Sequence, residues 1–390
     1  MRFELRDQSV AQDPGPYYRE LREQCPVAHV DDYDGFWILS RYDDVLAAAR
    51  NVGVFSSADG VTIPKLPIPA QICLEQDDPE HAKYRKPMQQ WLSPARMAAM
   101  EDQIRAVVTR LIDGVIDRGE ADLAAELCDP IPAVVMAIVM GLPETDWPIF
   151  RERLGRCLGL SASEDETGAA IAAFELVQYL ADSLADRRAN PRNDLLTEIA
   201  TLVVEGEPIT EEQAVSMSFL MLGAGHETTA GALSGLIYYL ARDADVQERL
   251  RADPTLHVGA TEEALRLVAP LPGMGRTLLA DATVGDVTIP AGERVMLLYG
   301  AANRDPDAFA DPEEFQPSRD NNRHLSFSNG IHRCVGAPLA RLEMRVMLDE
   351  LLKRLPPFRL AEPEAAEARY GTSRGYKRLV IAWGPLFTGR

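Results

Sequence analysis

A chain of 390 residues with 46% hydrophobic composition can bury a large core, which argues against a disordered or fibrous protein. Its net charge of −20 argues against non-specific binding to nucleic acid or to an anionic membrane. Five cysteines, at 25, 73, 128, 157 and 334, are odd in number and never in a CxxC pair, which disfavours a disulfide framework or a Cys-rich zinc site.

Residues 1–10 are charged and lack the apolar run of a secretory signal, and no Arg-rich transit segment is visible, so a cytoplasmic location is expected. Segments 27–30 and 36–40 predict a short hairpin. Helical patterning follows at 42–50 and at 80–92, the latter interrupted by Pro87, with Pro64, Pro67 and Pro69 marking an irregular stretch between them. Lys83, Arg85, Lys86 and Arg96 form a basic run free of acids, which a solvated helix face also explains. Further helices are predicted at 95–118, 131–140, 144–159, 167–189, 210–242, 245–252, 257–268 and 337–354. Segments 284–289 and 294–298 predict a second hairpin around Pro290, Ala291 and Gly292, and 357–360 with 379–383 a last strand pair. No repeat, low-complexity tract or linker divides the chain. The expectation is one mainly α domain over 1–390 with a small β component.

Segment 215–240 is apolar enough to suggest a membrane span. His226, Glu227, Thr228 and Thr229 stand in its middle, where ionisable groups are costly in a bilayer, and Thr210 with Gln213 forms a capping box. A central helix of a globular protein fits better. Gly223 and Gly225 in its interior each cost roughly 1 kcal/mol relative to Ala, so a bare backbone is wanted there. The zinc pattern HExxH fails at Ala230, and a dinucleotide loop GxGxxG fails at Thr228. What remains is small residues that let a flat ligand approach, followed by an acid and a hydroxyl. A polar kink in a core helix is the plainer alternative.

Glu263 and Arg266 share one helix face, which alone describes any surface pair. Cys334 is different. It stands in the glycine-punctuated loop 327–336, which runs into a helix whose N-terminal amides and dipole favour a thiolate. With no second Cys nearby, a single thiolate ligand to a large cofactor is the economical reading, and haem iron is that case. A catalytic Cys nucleophile is the competing reading.

These segments together resemble the cytochrome P450 family along nearly the whole chain. The resemblance rests on residues 224–229, Glu263-x-x-Arg266, Phe315-x-Pro-x-Arg319 and Phe327 to Gly336, in that order. It implies a triangular helical prism with haem b (iron protoporphyrin IX) between the long central helix and the Cys-loop helix. Cys334 would be the iron ligand, and Glu263, Arg266 and Arg319 a buried triad. His81, Arg85, Arg276 and His332 would meet the propionates, and Phe327 and Gly336 would shape the loop. Ala224 and Gly225 would leave oxygen room, with Thr228 hydrogen-bonding it and Glu227 delivering protons. By position in the family, Pro64 to Cys73, Leu220 to Ala224, Leu271 to Met274, Thr372 and Ser373 would line a pocket for a hydrophobic small molecule.

The implied activity is O2-dependent insertion of one oxygen atom, typically hydroxylation. Electrons would come from a ferredoxin and its NAD(P)H-dependent reductase, because the chain carries no flavin or iron–sulfur motif. Lys83 to Arg96, with Arg333, Arg341 and Arg345, would form the docking face of a monomeric protein that needs neither nucleic acid nor membrane. A non-catalytic haem protein, serving as a binding platform or gas sensor, is the alternative; the acid–alcohol pair and the triad speak against it. The family usually carries Gly directly after the Phe of its Cys loop, and Ser328 stands there. Haem binding is expected to survive this change, with the local turn and the redox potential altered.

Overall fold

The computed structural model describes residues 7–65, 70–158, 166–369 and 371–384. Residues 1–6, 66–69 (with Pro67 and Pro69), 159 and 385–390, which the readings above include, lie outside them. Helices dominate among the described residues and the strands are short. Periodic segments become helices at Tyr42–Arg50, Pro130–Met140, Trp147–Leu158, Glu166–Ala189, Ala244–Ala252, His257–Val268 and Ala337–Arg354.

The helix Glu211–Ala241 crosses the core, with Met217, Leu222, Leu233, Leu236, Ile237 and Leu240 buried along its length. Its start is fixed by the capping box: the Thr210 hydroxyl accepts from Gln213 N at 3.2 Å, and the Gln213 side chain accepts from Thr210 N at 3.1 Å. Among the described residues, no helix is long and apolar enough to cross a membrane.

Three expectations are corrected. Pro87 does not interrupt its helix, which runs unbroken over Glu80–Trp91. Proline removes one N–H from the ladder, but the buried face of Tyr84, Arg85, Met88 and Trp91 holds the turn in place. The helix expected over 95–118 is instead two, Pro94–Ala98 and Glu101–Asp113, followed by a 3-10 turn at Ile116–Arg118. Met100 (φ −94°, ψ 0°) makes the break, and Glu101 and Asp102 suit the dipole of a new first turn.

The hairpin expected between 284–289 and 294–298 does not form. Gly285, at φ 58°, turns the chain early, so Ala282–Val284 pairs with Val287–Ile289. Arg294–Leu297 then joins a buried sheet, antiparallel to Met274–Leu278 and parallel to Phe36–Leu39. Short helices at Gln8–Gln12 and Leu195–Ala200 carry too few residues for a periodic signal, and the ten-residue helix Gly15–Gln24, with Pro16 in its first turn, is not among those expected.

The main sheet runs in the order Val27–Val30, Phe36–Leu39, Arg294–Leu297, Met274–Leu278, Phe55–Ser56. The hairpin of its first two strands forms as expected, with Val27 opposite Leu39. The expected last pair also forms, with Phe358 opposite Trp383; its long strand Gly375–Trp383 also pairs Ala366–Arg369 and Glu120–Asp122. The main sheet and the helical core flank the cavity described below.

One core residue carries an avoidable cost. Glu343, on the helix Ala337–Arg354, is 1% exposed, and its Oε2 has no hydrogen-bond partner. Burial alone pushes its carboxyl well above the usual range, so it folds in protonated form. Above the ordinary carboxylate pKa the unfolded chain releases this proton while the folded chain keeps it. Stability therefore falls as pH rises, by at most about 1.4 kcal/mol per pH unit, until the folded pKa is reached. Glu343→Gln should flatten that decline in urea-melt midpoints compared from about pH 6 to about pH 9. Equal slopes in the two proteins would show that another group controls it.

Candidate active site

The central helix and the loop after residue 325 face each other across a cavity of about 490 Å³. Gly223, Ala224, Glu227 and Thr228 line one wall; Phe327, Ser328, His332, Cys334 and Val335 line the other. The Cys334 side chain is exposed, but into this cavity, and it is otherwise enclosed by protein. Burial raises its thiol pKa, opposed by hydrogen bonds from the Gly336 and Ala337 amides and by the charges of Arg85 and Arg341. The loop closes on itself through Cys334 N to Phe327 O at 2.8 Å. Gly330 sits at φ 72°, and a Cβ there would lie 2.6 Å from the Ala49 carbonyl oxygen, so the turn needs glycine twice over. Arg341 lies 4.6 Å from the Phe327 ring centroid.

Glu263 anchors the loop's approach and is fully buried. It accepts two hydrogen bonds of 2.8 Å from Arg266 and one of 2.9 Å from Arg319 Nε. Gln316 N at 3.1 Å and Asn322 Nδ2 at 2.9 Å complete its shell. Burial pushes its pKa up, but the two arginines outweigh it and the net shift is down. Arg266 also donates to the carbonyls of Asn303, Pro312 and Glu314, so one guanidinium gathers the segment that leads to the Cys loop. Gln316, Asn322 and Asn303 had no local sequence signal, because their partners lie 37 to 59 residues away.

Where Arg85 and His332 reach the cavity, they gather with His81 and Arg276, which stand close behind without lining it. The His81 and His332 rings stand 4.5 Å apart. Among the described residues, both ring nitrogens of His332, Nε2 of His81 and Nε of Arg85 have no hydrogen-bond partner. Burial, with Arg276, His81 and Arg85 nearby, lowers the His332 pKa to about 3. Arg276 is buried and donates to the Gly275 carbonyl at 2.7 Å. The two guanidinium groups and the ring N–H donors of this cluster suit an anionic ligand. Among the described residues no group of three or more His, Cys, Asp or Glu could hold a metal ion, so iron bound by Cys334 needs its other ligands from a macrocycle. A largely apolar cavity, a thiol open to it and unpartnered nitrogens that suit carboxylates fit haem.

Leu220, Leu271, Met274, Thr372 and Ser373 all line the cavity, as do Lys65, Ala70, Gln71 and Cys73 from the stretch 64–73. Ser373 does more than line it: its hydroxyl donates to Glu227 Oε2 at 3.3 Å. Burial raises the Glu227 pKa, against Arg369 and this hydrogen bond. Thr228 Oγ1 donates to the Ala224 carbonyl at 2.7 Å. His226 turns away from the cavity, its Nε2 3.2 Å from the Asp129 carbonyl, and burial lowers its pKa to about 4.

Gly225 requires a correction. It does not line the cavity; a Cβ there would sit 2.5 Å from Met136 Sδ. Its bare backbone admits the neighbouring helix Pro130–Met140, not oxygen. The basic face is also reduced. Lys83 pairs with Glu80 and Glu205, Arg341 with Glu262 at 2.7 Å and Arg345 with Glu101 at 2.6 Å, while Arg96 lies over Trp91. Among the described residues, Lys86 and Arg333 remain as exposed cations with no ion pair.

A family model described as Cytochrome P450 matches residues 172–262 and 255–367. Cytochrome P450 130 of Mycobacterium tuberculosis is 35% identical over 377 residues, covering 92% of each chain. Steroid C26-monooxygenase of the same organism is 34% identical over 352 residues, covering 89% of this chain and 87% of its own. The crystal structure of CYP108D1 from Novosphingobium aromaticivorans superposes with a TM-score of 0.89 at 32% identity, covering 97% of both chains. With its thiol and central helix facing each other across one cavity and the triad anchoring the approach to the Cys loop, the chain belongs to the cytochrome P450 family of haem-binding monooxygenases.

Proposed function

We propose that this enzyme hydroxylates an apolar small molecule held between the central helix and the 271–274 segment, with electrons from an acidic ferredoxin. The observation that carries this reading is the Glu227–Thr228 pair, set across the cavity from Cys334. Haem, when bound, supplies the oxygen-activating chemistry, and its thiolate ligand favours O–O cleavage. The chain's own part is proton handling and orientation. Glu227, its pKa raised by burial, holds a proton more readily than an exposed acid does, and Ser373 steadies its carboxyl. Thr228 directs its own proton to the Ala224 carbonyl, so its lone pairs are free to accept one from the cavity side. Phe219, Leu220, Met221, Leu271 and Met274 favour an apolar body in the substrate.

Thr228→Ala should keep electron consumption while product per electron pair falls severalfold and hydrogen peroxide rises. The assay compares NAD(P)H consumed, product and peroxide, using a substrate found by its spin-state shift on binding. Unchanged coupling would remove Thr228 from the proton route.

For the partner, the support is the unpaired Lys86 and Arg333 on the Cys-loop side. Lys86→Glu should slow reduction by an acidic ferredoxin about three- to tenfold at low salt. The gap should close as salt screens the contact. An unchanged rate at low salt would place the docking face elsewhere.

A further inference from the structure

Ser328 occupies a left-handed backbone position, φ 56°, immediately after Phe327, where the resemblance expects glycine. A side chain in that conformation costs on the order of 1 kcal/mol. The hydroxyl it brings is 8% exposed and lies 2.9 Å from the hydroxyl of Tyr299, which is 1% exposed. Both residues line the cavity. Two hydroxyls carry two protons, and the bond between them uses one. Among the described residues neither oxygen has another hydrogen-bond partner, so one buried proton points at no protein acceptor.

Its surroundings define what would accept it. Tyr299 follows the strand Arg294–Leu297, which pairs with the strand carrying Arg276. Ser328 precedes the turn Gly330–His332, which carries His332. The pair thus shares the cavity with His332 and Arg85, which carry nitrogens without a hydrogen-bond partner among the described residues. The Cys-loop wall from Ser326 to Val335 brings no carboxylate to the cavity. With the Cys334 sulfur as another acceptor on that wall, a ligand carboxylate best suits a site where nitrogen donors already gather.

We propose that Ser328 donates a hydrogen bond to a haem propionate and that Tyr299 positions it. This rests on the haem-binding reading above. With the phenol, the stronger acid, donating to Ser328 Oγ, the serine O–H so polarised stays on its oxygen and is offered to the carboxylate as a hydrogen bond. Tyr299 is a positioning residue. Withdrawing negative charge from a propionate favours the ferrous state, so the pair raises the reduction potential of the iron.

The test uses full-length holoprotein and three variants, Ser328→Gly, Ser328→Asn and Tyr299→Phe. Haem transfer to apomyoglobin gives the dissociation rate, and dye-coupled titration gives the potential. Ser328→Gly should lose haem about tenfold faster, as expected for one hydrogen bond to a charged group, with a more negative potential. Removing the left-handed strain should nonetheless spare the thermal midpoint of its apoprotein. Ser328→Asn, which tolerates the left-handed region and keeps an N–H donor, should restore both values. Tyr299→Phe should fall between wild type and Ser328→Gly.

If Ser328→Gly keeps wild-type haem retention and potential, or if Ser328→Asn behaves like Ser328→Gly, the proposal is overturned and the hydroxyl is packing only. A displaced ferrous–CO band in Ser328→Gly would transfer the acceptor to the Cys334 sulfur and overturn the propionate assignment. Failure of the wild-type chain to take up haem is a separate result, which would instead strike the haem-binding reading.

Discussion

Cys334→Ala should abolish the red-shifted Soret band that dithionite and carbon monoxide give with the wild-type protein. The sulfur is open to the cavity, aimed at by two backbone amides and ringed by a loop that closes on Phe327. The other ligating side chain on that wall, the imidazole of His332, is packed against the His81 ring with centroids 4.5 Å apart. The informative control is Cys73. It is the other cysteine lining the cavity, buried beside Arg85, with its thiol pKa raised by burial. Cys73→Ala should keep the band. Reversal of these two results would move the ligand to the other side of the cavity. Haem should still enter the Cys334→Ala slot through apolar contact and the propionate donors, but be held more weakly.

Glu263→Ala should yield little folded protein. The carboxylate takes hydrogen bonds from five N–H groups, three of them on buried arginine side chains. Deleting it strands two cations away from water, a loss of roughly 3–5 kcal/mol against a total stability of about 5–15 kcal/mol. Soluble yield, haem content and the urea midpoint should fall together. Glu262 is one residue away, but it is partly exposed, and Arg341 and His324 hold its pKa down to about 2 against burial. Glu262→Ala should cost far less, since its partners can be rehydrated. Equal losses in the two variants would mean that the triad has no special role in holding the loop.

What could be read from the residues follows from the range of the physics. Segments with strong periodicity and local caps, such as Thr210 with Gln213, declared themselves, because their partners are three or four positions away. The order of Glu263, Arg266, Arg319 and Cys334 was also legible. Their geometry was not, since Asn322 and Gln316 reach Glu263 from more than fifty residues downstream. Gly225 was misread because a bare backbone in a helix does not say what approaches it; the approaching atom is a thioether from another helix. The basic docking face lost much of its force because Lys83 pairs with Glu80 just ahead of the run as well as with Glu205, and Arg345 is met by Glu101 from a distant position. Strand pairing failed at 284–298 for the same reason: alternation marks a strand, but Arg294–Leu297 found Phe36–Leu39 instead of its neighbour.

That last pairing also has a temporal side. Trp37 lies beside Val295, so the early hairpin keeps one edge unpaired until most of the polypeptide has been made. At typical translation speeds the wait is on the order of tens of seconds. The helices between can collapse locally in that interval, but the wall carrying Arg276 and Tyr299 is completed only near the end of synthesis. The nascent chain must therefore be kept from pairing that exposed edge with a sibling on the same message.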